Sequence, residues 1–423
     1  MHSGIYGKIK EFYFVAVAAM MYYFLTETIN LSVFVSYRHA FALALVFSVA
    51  VSFLAKPDIA RGIPAVKSAA VYSVPLLVTF TVSLFIWFYN RVDTAVIARG
   101  LSSIFIYSNM LSFSLAGMAF LYVFGEKGIW YNLVSILAAN ILMIVKIIAQ
   151  NGLAAYFSEL VTLVATFAEK TGDIIVKAEV HELAFCLGAY LIYMILKPKF
   201  GASYLVLFVL TLFCFLSAFK RIAMIAIAVS LVLSLVLKFI AKYHEKTART
   251  LTLFLTVLII ILMLGYIAVI KHGAFEMLEK IGVDTTGRAE VYASVDKFYE
   301  FSPDFAGNGI GFLTYQLNTN MNVGVSAVHN DFLQYFIDLG FWGYILWLVS
   351  MTVVRIKYFG AKSKTENAII TFALTVYLTI VSSTDNTMNY PLLTTVLAVL
   401  MAGHGFDMQV SETEKKVFGN RAV

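Results

Sequence analysis

The chain has 423 residues, of which 61% are hydrophobic, 15% aromatic and only 13% charged, with a mean hydropathy of +0.84 and a formal net charge of +6. A soluble core cannot take up that much apolar surface, so a water-soluble globular domain is excluded and a bilayer is the expected solvent. The positive balance suits loops facing anionic lipid and requires no nucleic-acid partner.

A spanning helix needs about 20 mostly apolar residues. The hydropathy divides into runs at about 12–35, 40–55, 69–89, 101–124, 129–149, 180–196, 203–219, 222–240, 251–270, 333–354, 367–383 and 391–406. They predict an all-α polytopic membrane protein with about twelve transmembrane helices and one long structured outer loop. Tyr6 to Lys10 leads into an apolar run too long for a signal core, and no small-residue cleavage site closes it, so the first run is expected to stay as a helix. Three regions follow: 1–271 with the first nine spans, 272–332 as the outer loop carrying the site, and 333–423 with the last three spans and a short cytoplasmic tail.

Alternate loops, counted from the N-terminus, collect Lys8 and Lys10; Lys56, Arg61 and Lys67; Lys127; Lys197 and Lys199; Lys238, Lys242, Lys246 and Arg249; Arg355, Lys357, Lys362 and Lys364; and Lys415, Lys416 and Arg421. The other set is richer in acids, notably Glu159, Glu169, Asp173, Glu179, Glu182 and those between Glu276 and Asp304. The cation asymmetry predicts that the first set and both termini are cytoplasmic. Between the fifth and sixth runs, Leu153, Phe157, Leu160, Val161, Val164 and Phe167 recur at helical spacing opposite Ser158, Glu159, Thr162 and Thr166. That pattern predicts an interfacial amphipathic helix near 152–168, not a further span. Cys186 and Cys214 lie inside apolar runs and read as small core residues, and the span interiors are nearly free of charge apart from Glu27 and Lys146.

The outward-facing basic residues are the ones that the charge rule leaves unexplained: Arg91, Arg99, Lys220, Arg221, Lys271, Lys280, Arg288 and Lys297. Arg221 stands in Leu216-Ser217-Ala218-Phe219-Lys220-Arg221-Ile222-Ala223, a tight turn between two runs. Snorkelling to headgroups accounts for such a position, and so does a phosphate clamp, because the guanidinium fork donates two parallel bonds and never loses its charge. In the outer loop, Phe275, Leu278, Glu279 and Gly282 mark a short helix, and Thr285-Thr286-Gly287-Arg288-Ala289-Glu290 opens a second through about Glu300, stopped by Ser302-Pro303-Asp304. Arg288 then lies in a first turn whose N–H groups also favour an anion, with an ion pair to Asp284 or Glu290 as the plainer alternative. Gly307-Asn308-Gly309-Ile310-Gly311-Phe312 lacks the third glycine and the strand of a nucleotide fingerprint, and is expected to let the backbone bend close to the membrane surface.

The loop ends in Ser326-Ala327-Val328-His329-Asn330-Asp331-Phe332-Leu333, where a histidine able to exchange a proton near neutral pH precedes a membrane run. Asn330 and Asp331 also suit capping of the helix that begins there. An anion clamp beside a proton acceptor is what sugar transfer from a lipid pyrophosphate needs: cations for the departing diphosphate and a base for the incoming hydroxyl. Acidic clusters suited to a divalent metal are weak, so neither metal nor cofactor is expected.

The order Ser-Ala-Phe-Lys-Arg at 217–221, Thr-Gly-Arg at 286–288, Gly-Asn-Gly-Ile-Gly at 307–311, Val-His-Asn-Asp-Phe-Leu at 328–333 and Asp-Leu-Gly-Phe-Trp-Gly at 338–343 resembles the O-antigen ligase and polymerase family of membrane glycosyltransferases. The resemblance runs from about Ser217 to Trp347; the first half agrees only in hydropathy. It implies a C-type glycosyltransferase in the bacterial cytoplasmic membrane, using an undecaprenyl-pyrophosphate-linked glycan on the outer face, without metal and with inversion. Arg221 and Arg288 match pyrophosphate-contacting positions and His329 the base; Lys220 is a further pyrophosphate-binding candidate, and Asn330, Asp331 and Arg99 are secondary candidates. Donor glycan, acceptor glycan, the bilayer and a chain-length regulator are the partners implied.

The repeated Arg-x10-Gly motif of some polymerases is absent, since Val232 and Tyr299 stand eleven residues after Arg221 and Arg288. The compact outer loop and a Lys-, Tyr- and Phe-rich composition, as in capsule and surface-polysaccharide loci, favour a polymerase of repeat units. A ligase moving glycan to lipid A core is the alternative. A flippase or other transporter also fits twelve spans but calls for related halves and charges near the midplane.

Overall fold

The structure, a computed structural model, describes residues 2–26, 37–90, 92–107, 109–166, 181–199, 201–218, 220–282, 285, 287–321, 327–361 and 365–418. Glu27, Arg91, Phe167, Glu169, Asp173, Glu179, Phe219, Asp284, Thr286, Ser326, Lys362, Lys364 and Arg421, all used in the reading above, lie outside the described residues.

Every regular element among the described residues is helical, as expected of a chain whose backbone polar groups must be satisfied without water. In chain order the helices are α1 His2–Thr26, α2 Tyr37–Ala55, α3 Ile59–Tyr72, α4 Val74–Asn90, α5 Thr94–Tyr107, α6 Asn109–Phe124, α7 Gly128–Asn151, α8 Leu153–Thr166, α9 His181–Leu196 and α10 Ala202–Ala218. They continue as α11 Arg221–Tyr243, α12 Glu245–Lys271, the loop helices α13 Ala274–Lys280, α14 Arg288–Val295 and α15 Phe312–Thr319, then α16 Asp331–Val349, α17 Arg355–Ala361, α18 Thr365–Ser382, α19 Pro391–Gly403 and α20 Phe406–Phe418.

Among the described residues, five helices are long and apolar enough to cross a membrane, or seven if each of two bent pairs counts as one span. α2, α8, α9 and α10 supply shorter apolar stretches. The protein is thus an integral membrane protein. Each of the twelve hydropathy runs has a helix over it, but the helices break where hydropathy is blind. The run at 69–89 is divided into α3 and α4, bent by 46° at Ser73. Pro75 explains the break, since proline disfavours helical backbone in the residue before it and cannot donate to the ladder. α6 and α7 lie in one apolar stretch from Met110 to Asn151 and are separated by a turn that begins at Gly125, whose φ is +59°; the Phe124 and Tyr131 rings meet 4.5 Å apart across it. α19 and α20 meet at 59° beyond His404, where Gly405 has φ +82°.

α8 occupies the expected amphipathic segment. Tyr156, Leu160 and Leu163 are buried, while apolar Leu153, Phe157 and Val161 are exposed alongside polar Ser158 and Thr162. Its third face therefore packs on the protein, with Phe157 near Phe213 of α10.

α9, α18 and α19 form the centre of the bundle; all of α19 is buried, and α18 nearly so. Polar groups there are satisfied locally: Thr375 and Thr379 return their hydroxyls to carbonyls four residues earlier. Between helices, Asn132 of α7 bonds both Tyr22 of α1 and Tyr190 of α9. Cys186 and Cys214 are buried free thiols.

Arg355 departs from its reading as a loop cation. It begins α17 only 1% exposed, with its guanidinium carbon 3.9 Å from the Tyr72 ring centre and an N–H on the Tyr72 carbonyl at 2.6 Å. The bend at Ser73 presents that ring and carbonyl, and the arginine knits α17 to α3.

Candidate active site

The N-terminus of α16 divides its duties among three consecutive residues. Asn330 is fully buried and caps the helix, its Oδ1 accepting the Leu333 N–H at 3.1 Å. Its amide donates to the Tyr266 hydroxyl of α12 at 3.0 Å and the Tyr292 hydroxyl of α14 at 3.1 Å, so one side chain joins three helices. Asp331, also buried, accepts from the Thr387 hydroxyl at 3.1 Å and the Met388 N–H at 2.9 Å, tying α16 to the segment between α18 and α19. Two of the three secondary candidates, Asn330 and Asp331, thus tie neighbouring elements together.

His329 does the opposite. Its φ of +51° is the one left-handed non-glycine backbone among the described residues, and its side chain is 55% exposed. A strained backbone of this kind persists only where its surroundings over-determine it, here a buried residue on either side, Val328 and Asn330. Nδ1 stands 3.8 Å from Oδ1 of Asp385, an ion-pair distance if the ring is protonated and too long for a hydrogen bond.

Asp385 was not singled out from the sequence. It lies in the turn after α18, buried, and accepts from the Tyr390 hydroxyl at 2.7 Å and the Asn386 N–H at 2.8 Å. Burial pushes its carboxyl up, but the His329 imidazole, the Tyr390 hydroxyl, the charge of Lys220 and the Asn386 N–H outweigh that and hold it down at about 2. The group is an anion across the working pH range. A polar run, Ser382 to Tyr390, between two apolar runs on the side assigned to the outer face was the available signal.

The cations converge on this turn from two directions. Lys220, in extended conformation, is the N-cap residue of α11 and lends its charge to Asp385; Arg221 is the first residue of that helix, and both are half-buried. Arg288 opens α14 after Gly287, which takes φ +78°, and donates from Nη2 to the Thr384 carbonyl at 2.9 Å, the residue next to Asp385. It thus reaches a backbone partner on another element as well as the local Thr285 carbonyl at 3.5 Å, while the expected pairing with Asp284 lies outside the described residues. Lys220, Arg288 and His329 meet around Thr384 and Asp385, with Arg221 adjoining Lys220. Arg99 is exposed on α5, whose backbone at Arg99 and Gly100 lies against Gly311. Among the described residues no three His, Cys, Asp or Glu side chains group as a metal site.

The glycine-rich loop braces α16. Gly340 has φ +72° and ψ −179°, which interrupts the helix, and the freed groups are taken up by the loop. Asn308 and Gly309 donate N–H groups to the Asp338 carbonyl at 3.1 and 2.7 Å, the Asn308 amide reaches the Ile337 carbonyl at 3.0 Å, and Phe341 donates to the Phe305 carbonyl at 2.9 Å. The buried Asp338 carboxylate returns the service by accepting from Gly311 N–H at 3.2 Å and Leu313 N–H at 3.1 Å, capping α15. A methyl group on Gly307 or on Gly340 would strike the other strand of backbone. Two motifs noted separately in the sequence are therefore two halves of one lock.

A family model described as O-Antigen ligase matches residues 206–348. The match covers Lys220, Arg221, Arg288, His329 to Asp331 and both halves of the glycine lock, and stops short of the Thr384 to Tyr390 turn. A search of curated proteins finds no significant match. Over residues 206–348 the chain is thus similar to the O-antigen polymerase and ligase-like family, and the match supports that kinship.

Proposed function

We propose that the protein is a membrane glycosyltransferase that polymerises undecaprenyl-pyrophosphate-linked oligosaccharide repeat units of a bacterial surface polysaccharide. The observation that carries this reading is the meeting of an exposed histidine, near an ionised carboxylate, with Lys220 and Arg288 around the Thr384–Asp385 turn, Arg221 following Lys220 at the start of its helix. His329 presents Nδ1 to Asp385, which leaves Nε2 to take the proton of an acceptor hydroxyl. As that oxygen bonds to the anomeric carbon from the face opposite the leaving group, the bond to the diphosphate breaks and the configuration inverts. The departing diphosphate is stabilised by the cations, whose guanidinium forks match phosphate oxygens.

The same proposal assigns the chain twelve spans in the cytoplasmic membrane, termini in the cytoplasm and the His329 end outside, on the strength of the cation asymmetry of the loops. A second reading, transfer of the glycan to lipid A core, is favoured by the matching family's description as a ligase. Purified protein given defined undecaprenyl-pyrophosphate oligosaccharides, with and without lipid A core, decides between them by mass spectrometry of the product. Lengthened lipid-linked glycan without core supports the polymerase; product only on core supports the ligase; no glycan transfer to either ends the enzyme reading and leaves a transporter.

A further inference from the structure

The end of the bundle opposite His329 carries features that the proposed chemistry does not use. An apolar cleft of about 700 Å³ opens between α2, α3 and α6, walled by Phe53, Leu54, Ile63, Val66, Leu115 and Met118. Beside it is a polar cleft of about 540 Å³, and Ile59 and Tyr122 line both. Lys10, Lys56 and Arg61 edge the polar cleft with Asp58 and Glu414, and Lys67 lines the apolar one.

These cations are not equivalent. Arg61 is spoken for: its Nε is 3.5 Å from Asp58, and Nη1 reaches the Tyr122 and Val123 carbonyls at 3.3 and 3.4 Å. It fastens α3 to α6 and balances Asp58, leaving Glu414 beside Lys10 and Lys56, while Lys67 also borders a small cleft that Glu412 shares with Lys416, so cations still outnumber carboxylates. Among the described residues no side-chain hydrogen bond or ion pair occupies Lys10, Lys56 or Lys67. A net positive rim thus adjoins a slot whose walls are hydrocarbon. Bulk lipid tails would cover the slot whatever their headgroup, but only a headgroup with net negative charge gains from the rim.

We propose that the joined clefts form a binding site for an anionic phospholipid, with the phosphodiester among Lys10, Lys56 and Lys67 and an acyl chain in the apolar cleft. The glycerol backbone then lies beside Ile59 and Tyr122, the residues common to both clefts. A zwitterionic lipid places its ammonium against the same lysines and loses the gain. Gly62 lies on the apolar wall, and a Cβ built there meets only a Phe53 ring carbon at 3.8 Å, so a larger side chain has room to grow into the slot without moving the backbone.

The test uses the full-length, delipidated protein in detergent, titrated with phosphatidylglycerol, with phosphatidylcholine of the same chains and with inorganic phosphate, and read by native mass spectrometry and melting temperature. Expected are saturable phosphatidylglycerol binding with a raised Tm, at least tenfold weaker binding of phosphatidylcholine, and no effect of phosphate alone. The double variant Lys10→Glu/Lys56→Glu and the variant Gly62→Leu should each weaken phosphatidylglycerol binding at least tenfold while eluting and melting as the lipid-free wild type does. Should either prove unstable, Lys56→Glu alone, at an exposed position, carries the same expectation with a smaller change. Equal affinity for the two lipids, or wild-type phosphatidylglycerol affinity in the stable variants, overturns the proposal.

Discussion

His329 carries its exposed ring on a left-handed backbone, so its replacement tests chemistry and architecture together. Asparagine adopts that backbone more readily than most residues but takes up no proton near neutrality. His329→Asn should therefore melt as wild type does and lose roughly 10²- to 10⁴-fold in rate, measured as product formed at saturating donor. Near-wild-type turnover would retire the base. Asp385→Asn should lower kcat by roughly 10²-fold with a smaller change in donor KM, because it disturbs the imidazole directly and, of the clamp, only Lys220. The same carboxyl has a stability signature. Its value of about 2 lies below the free-aspartate value of about 3.9, so the stability it contributes is present above about pH 4 and is lost as the pH falls towards 2. Melting curves of wild type and Asp385→Asn should differ by an amount on the order of 2 kcal/mol at pH 6 and converge near pH 2. For Arg288, whose Nη2 is anchored on the Thr384 carbonyl, the Lys variant keeps charge but not the fork. Arg288→Lys should lose about 2–4 kcal/mol of transition-state stabilisation, read as kcat/KM.

At the scale of elements, the helices themselves were legible because hydropathy over about 20 residues is a local property. The breaks were less so. The proline in the first turn of α4, Pro75, was visible, yet the run at 69–89 hid it, and Gly340 and Gly405 turn the chain through backbone angles that no apolar count records. The glycine lock was legible only as two unconnected motifs. Its meaning is the pairing of Asn308 and Gly309 with Asp338, residues far apart in the chain, and a single sequence does not state which distant segments touch. Arg355 failed for the same reason: a cation at the end of an apolar run reads as a loop residue until Tyr72 is seen beneath it. The candidate site followed suit: His329, Lys220 and Arg288 stood out by residue type and lie around one turn, while Asp385 beside them did not, since a lone acid in a polar turn has no pattern. The lock yields a prediction of its own. Gly307→Ala and Gly340→Ala should each lower the melting temperature, by the equivalent of about 1–3 kcal/mol, and the double variant should cost less than the sum, because the two substitutions disturb one contact.

For the whole molecule, the assigned orientation predicts that a cysteine at the exposed position Asp304 reacts with an impermeant maleimide in intact cells and that one at exposed Lys415 does not until the membrane is opened. The native thiols, Cys186 and Cys214, are buried and give a quiet background. Labelling of both positions from outside would undo the charge argument. A separate consequence comes from the turn after α18, which receives Arg288 at Thr384, Asp331 at Thr387 and Met388, and His329 at Asp385. That turn lies beyond residue 348, so the recognisable portion of the sequence is not a separable module. A chain cut after Ala361 would retain every matched residue and still strand the Asp331 carboxylate, with its two donors gone, in a dry interior. The last helices are in this sense a subunit that happens to be covalently attached, and supplying them as a second polypeptide, rather than reinforcing the first, is what should bring such a truncated chain back to life.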